Sequence, residues 1–301
     1  MEKQKSKIIS EGSIDSSIKR TVIELLDKFK LNWSVSKLPL FAVSEEGEMI
    51  ESASFEISRV DTNAALGTVG SEYQAVQNTE LAEILIRAVK HSILSSDILR
   101  FTGREYKGGK VVMLQVKLKP VKIGEMILNR HINVLNSHDG TIAVNYGMGH
   151  SFPEMGSFRQ RAAARFRHSG TVMERVKQAV EIIQESYLKE KNLLDKYQLM
   201  MLIKVDNSSI LKGYLREMFE LKSTRIPDLS TKRMNQITDW KALWEKISKE
   251  YGNNVFSLFL STIYYTNHVK ADKFKDVSIM AGKSYDMNLR CYKFIERSFR
   301  L

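Results

Sequence analysis

Between Phe158 and His168 the chain reads F-R-Q-R-A-A-A-R-F-R-H, placing Arg159, Arg161, Arg165, Arg167 and His168 within eleven residues and including no acid. A guanidinium offers planar, bidentate donors to phosphate and stacks on bases, and Phe158 and Phe166 offer stacking faces. That combination suits a polyanion with exposed bases. The competing interpretation is a solvated helix face whose arginines pair with acids elsewhere. On a helix, Arg161 and Arg165 would share one side.

Lys110, Lys117 and Lys119 supply a second set of cations. In K-V-V-M-L-Q-V-K-L-K, Val112, Leu114, Val116 and Leu118 alternate with Gln115, Lys117 and Lys119, so one side of this strand is apolar and the other wet and positive. Singly, each lysine reads as solvated. With the arginines they make up the expected nucleic-acid-binding set: Arg159, Arg161, Arg165, Arg167, Lys110, Lys117 and Lys119.

Other chemistry has weaker support. His138-Asp139, even joined to His131 and Asp61 or Glu72, lacks any H-x-x-x-H or carboxylate spacing, so no metal is expected. G-T-V-G (67–70) and G-M-G-H (147–150) lack the lysine and following helix of a phosphate-binding loop, which argues against nucleotide-driven chemistry. His168 reads as a residue that orders the start of the next helix, with phosphate contact as the alternative. Tyr73 and Gln77 read equally as a buried tyrosine with a capping partner or as functional groups. Cys291 stands alone, without an evident base partner, which excludes an intramolecular disulfide and a multi-cysteine metal site. No catalytic residue, cofactor or small-molecule substrate is expected.

At 301 residues the chain can bury a substantial core, and its 43% hydrophobic content is that of a globular protein. The net charge of +11 is unevenly spread. Residues 1–50 are balanced, 51–100 are acidic, and every later block of fifty is positive. This favours a broad electropositive surface over a detachable tail. The start M-E-K-Q-K-S-K leads into no apolar signal region, and no segment reaches bilayer length, so a cytoplasmic location is expected.

The elements that must position these residues follow from periodicity. Residues 1–13 read as a flexible N-terminus. Ile18, Val22, Leu25, Leu26 and Phe29 predict a helix over 14–30, and Leu31 to Phe41 reads as extended. S-E-E-G-E (44–48) is a turn and Ser52 to Arg59 a strand. Asn78 or Thr79 caps a helix lined by Leu81, Ile84, Leu85 and Ala88. One hairpin turns at Gly108-Gly109, and a second turns around Ser137-His138-Asp139-Gly140. Thr171 and Glu174 have capping-box spacing ahead of a stripe at Val172, Val176, Ala179, Val180, Ile183 and Tyr187. From 190 the chain reads as helical, with a polar break at 223–233. The expected class is α+β, an antiparallel hairpin-rich sheet with crossing helices over 14–200 and a helical C-terminal region over 201–301.

Taken in order, these segments resemble the phage/plasmid-like family known as domain of unknown function 932. K-L-N-W-S-V-S-K-L-P-L (30–40), V-G-S-E-Y-Q-A-V-Q-N-T-E-L (69–81), S-H-D-G-T-I-A (137–143), F-R-H-S-G-T-V-M-E-R-V-K-Q-A (166–179) and N-N-V-F-S-L-F-L-S-T-I-Y-Y-T-N-H-V (253–269) each look like a family segment. G-M-G-H-S-F-P-E-M-G-S-F departs from it, standing where members commonly carry a Cys-Asn pair. The resemblance implies a mobile-element protein, hence the host cytoplasm, with a role in DNA replication, recombination or element maintenance. The expected fold is similar to phage single-strand annealing proteins of the RecT and Red-beta types, which assemble into rings or filaments. By that analogy, single-stranded DNA and further copies of the chain are the expected partners. An assembly or anti-defence factor is the alternative. A nuclease is disfavoured by the lack of a carboxylate cluster.

Overall fold

The spacing of Ile18, Val22 and Leu26 produces α1 (Glu11–Lys28), whose buried face carries all three residues. Lys30 adopts a left-handed conformation (φ 57°), and the backbone N–H groups of Lys30 and Leu31 donate to the carbonyls of Asp27 and Leu26. This closes the helix and turns the chain toward the first strand. In a computed structural model the described residues are 11–90, 93–158, 164–172, 174, 178–205, 208–222, 229–270 and 273–301.

Strands β1 (Val35–Val43), β2 (Met49–Arg59) and β3 (Ala65–Gly70) form an antiparallel sheet in that order. β3 contains the G-T-V-G tract, which pairs with β2 instead of forming a loop. Helix α2 (Asn78–Lys90) packs on α1 and buries Leu81, Ile84, Leu85 and Ala88. Its start differs from expectation. The Glu80 carboxylate reaches back to accept the backbone N–H of Gln77 (2.7 Å), while the Asn78 side chain is used elsewhere. The cap is the Glu80 half of a capping box.

A second sheet runs β4 (Ile98–Tyr106), β5 (Val111–Ile123), β6 (Met126–Ser137), β7 (Val144–Phe152), β8 (Gly156–Phe158) in spatial order, with β9 (Ala164–Phe166) also pairing with β7. Both expected hairpins are present. In the second, the Asp139 carboxylate accepts from the backbone N–H and hydroxyl of Thr141 (3.0 and 2.6 Å), and Gly140 takes φ 72°. An Asx-turn with a left-handed glycine is what the Asp-Gly pair offers. The alternation along β5 holds, with Val112, Leu114, Val116 and Leu118 buried, Lys117 half-buried and Lys119 exposed.

Helices α3 (Ala179–Leu202), α4 (Ser208–Phe219), α5 (Thr231–Tyr251), α6 (Val255–Tyr264), α7 (Lys275–Ala281) and α8 (Lys283–Phe299) complete the chain. The fold is therefore an antiparallel, hairpin-rich sheet region interleaved with helices, followed by a largely helical region. Ser230 caps α5 and Asn254 caps α6. α6 is apolar nearly all round and buried from Val255 to Ile263, as such a helix must be.

The chain divides into two compact units, residues 1–115, 134–144 and 166–184 in the first, and 116–133, 145–165 and 185–301 in the second. β5 and β6 contribute residues to both. The second unit is built on interlocking rings, among them Phe152, Phe158, Tyr197, Phe256 and Phe259, with centroids 5.2–6.4 Å apart.

Candidate functional site

Four separated sequence motifs meet inside the first unit. Asn78, at the start of α2, accepts from His138 Nε2 through its Oδ1 (3.1 Å), and its amide N–H groups donate to the carbonyls of Leu31 and Trp33 (3.0 and 3.3 Å). An amide oxygen only accepts, so His138 carries its proton on Nε2. The Trp33 ring tilts against His138 at 5.2 Å, and the Arg59 guanidinium stands 4.2 Å from the Trp33 ring centroid. Arg59 is anchored by Asp61 and Glu105. Tyr73 donates to the Ser137 carbonyl (3.0 Å) and stacks on His168 at 4.7 Å, and His168 Nδ1 bonds the Gln74 carbonyl (3.0 Å).

Burial sets the electrostatics of this cluster. It pushes the His138 imidazole down to about 4, with His168 and Arg59 adding to the effect and Asp139 opposing it. Burial also lowers His168, although the Gln74 and Ile142 carbonyls favour its protonated form. The Tyr73 hydroxyl is raised, first by burial and then by Asp139. Each bonded ring nitrogen meets a backbone or amide oxygen, which fixes the ring in place rather than poising a proton. His168 thus ties the segment between β9 and the following helix to the Gln74 carbonyl.

A buried triad of Arg130, Glu190 and His150 lies in the second unit. Glu190 on α3 accepts from Arg130 Nε (2.9 Å) and Nη2 through one oxygen and from His150 Nε2 (2.8 Å) through the other. Arg130 also donates to the Lys119 carbonyl (3.2 Å) and lies over Tyr187. Burial raises the Glu190 carboxyl, but the hydrogen bonds and charges of His150 and Arg130 outweigh it and hold it below the usual range.

The expected nucleic-acid contacts fall as follows. Arg159 and Arg161 lie outside the described residues. Arg165 is on β9, exposed between buried Ala164 and Phe166, so this part of the stretch is strand and its pairing with Arg161 on one helix side does not arise. Arg167 follows it and is exposed. Lys117 and Lys119 share one side of β5, and β6 and β7 separate that strand from β9. At the usual strand spacing, three steps across the sheet put them at least about 14 Å from Arg165. Lys110 is half-buried beside the first hairpin turn, in the first unit. Phe158 and Phe166 are buried, which removes both from base stacking.

Sequence reasoning missed the Asn78–His138 pair and the Arg130–Glu190–His150 triad. A signal existed for the triad. Glu190 sits in the stripe Ile183, Tyr187, Glu190, Leu194, Tyr197, and Arg130 falls between Leu128 and Ile132 at the two-residue period of a strand face, so each occupies a position that periodicity assigns to the interior. Among the described residues, no cluster of three or more His, Cys, Asp or Glu is placed to hold a metal ion, and no helix is long and apolar enough to cross a membrane. Cys291 is buried, and burial raises its thiol to about 12.

No curated protein and no solved structure matches the chain. A family model does. That model, described as Domain of unknown function (DUF932), matches residues 65–287, well over half of the sequence, and the chain belongs to this family.

Proposed function

We propose that this is a phage- or plasmid-encoded protein of the host cytoplasm that binds single-stranded DNA and promotes strand annealing as a homo-oligomer, without nucleotide or metal. Annealing requires cations on phosphates, bases left free to pair, and several protomers along one strand. It needs no catalytic group. The observation that carries the reading is the state of Lys117, Lys119 and Arg165. All three project from strands of the second unit, and none forms an ion pair with a described residue. Other cations of the chain are already neutralised, such as Arg130 by Glu190 and Arg59 by Asp61 and Glu105. Strand pleating sets the face from which such side chains leave, so a phosphate thread on that face meets charge not already neutralised by a described carboxylate.

The test is a mobility shift of a labelled oligonucleotide with the full chain, together with pairing of complementary strands in the absence of ATP. Binding and pairing are expected, and alanine at Lys119 and Arg165 together should weaken the shift at least tenfold. An unchanged shift removes these residues from the interface. Cleavage of the oligonucleotide on adding magnesium supports a nuclease instead.

A further inference from the structure

The hairpin of β1 and β2 extends past its own sheet. β3 pairs with β2 only from Ser54 to Ser58, whereas β1 and β2 go on pairing through Phe41↔Glu51, Ala42↔Ile50 and Val43↔Met49. The distal part is a two-stranded ribbon, a form that is marginal in water by itself. Its apolar side chains face solvent: Phe41 is 50% exposed, Ile50 54%, Val43 71% and Met49 74%. Directly opposed residues share a face, so Phe41, Val43 and Met49 lie on one side together with Glu51, and Ala42 with Ile50 on the other. Exposed apolar surface concentrated on an unpaired edge marks a contact surface.

Charge identifies what it contacts. Residues 38–58 include five glutamates (Glu45, Glu46, Glu48, Glu51 and Glu56) and no lysine or arginine, in a chain whose net charge is +11. The acidic tip repels a polyanion, which excludes nucleic acid as its occupant. It also repels the same arm of another molecule, which disfavours symmetric arm-to-arm pairing. The remainder of the chain is strongly basic and attracts it.

We propose that this hairpin is an assembly arm, which docks its apolar ribbon and glutamate tip on the basic surface of a second copy of the chain. Such a contact joins two different surfaces. It is therefore heterologous, and repeats into a ring or an open filament. The inference gives a physical site to the oligomer expected above, but it does not depend on DNA being the ligand.

Sedimentation velocity of the full chain without DNA tests it, over a concentration series at low and high salt. Reversible self-association that weakens as salt rises is expected. Val43→Ser with Met49→Ser, which removes apolar contact without adding charge, should raise the dissociation constant at least tenfold, as should a separate Glu45→Lys, Glu46→Lys, Glu48→Lys variant. These side chains are exposed, so the melting temperature should stay within a few degrees of the parent, and the two variants guard each other against misfolding. A monomer at every concentration overturns the proposal. Association that ignores salt, or that survives both variants, overturns it equally. Since no nucleic acid is present, the result is independent of whether the chain binds DNA.

Discussion

His138 couples the folded state to pH. An ordinary imidazole titrates at 6.5, and burial brings His138 to about 4 in the folded protein. Between these values the unfolded chain binds a proton that the folded chain refuses, so stability is full above pH 6.5 and declines as pH falls toward 4. A difference of that size corresponds to about 3 kcal/mol. Urea midpoints at pH 7 and pH 4.5 measure it, and His138→Gln should flatten the decline relative to the parent. Glu190 acts in a lower window. Its folded carboxyl is held below the usual value of 4.5, so the stability it contributes is present above that pH and lost as pH falls through the folded value. Glu190→Ala leaves Arg130 and His150 as buried donors without their acceptor and should cost roughly 3–5 kcal/mol at neutral pH. The interior placement of Glu190 was legible from the helical period. Its partners were not, because Arg130 and His150 lie 60 and 40 residues away and only the fold brings them near.

Two short edges of the fold are finished by side-chain amides in place of a strand. Gln77 accepts from the Val35 N–H and donates to the Val35 carbonyl, both at 3.0 Å, which copies the bonding of a neighbouring β residue. Asn267, in the π-helical turn Tyr265–Val269 after α6, does the same for Ser157 on β8, at 3.1 and 2.8 Å. Asn267 lies so close to Gly156 that a Cβ there would fall 2.4 Å from the amide carbon, so only glycine fits at that position, where φ is also 108°. Asn267→Ala strands both Ser157 backbone groups and should cost about 2–4 kcal/mol in a denaturant titration. Gly156→Ala should be at least as damaging. This explains which elements the sequence revealed. Helices α1 and α2 and the two hairpins announced themselves because each carries a full periodic pattern. β8 and β9 have three residues each, and β3 has six including two glycines. Segments so short have no period of their own, and they become strands only through the neighbours or amides that complete their hydrogen bonds.

The whole chain separates its charge, with a glutamate arm near the start and basic excess after residue 100. That separation gives the DNA reading a quantitative consequence. On a single strand each neutralised phosphate contributes a slope of roughly −0.7 to the dependence of log K on log salt. Six contacts per binding unit give about −4, so affinity should fall by roughly two orders of magnitude between 50 and 200 mM salt. Fluorescence anisotropy with a short labelled oligonucleotide reads this directly. Arg165→Ala and Lys119→Ala should each flatten the slope by roughly 0.7, because a removed phosphate contact no longer releases its counterion. Loss of affinity at constant slope would mean that the residue acts through the fold and touches no phosphate. Val43→Ser with Met49→Ser supplies the complementary result. These two residues neutralise no phosphate, so the slope per bound protomer should stay near −4 while cooperativity along a longer strand disappears. A slope that changed in this variant would place the hairpin in the DNA interface, where its charge says it does not belong.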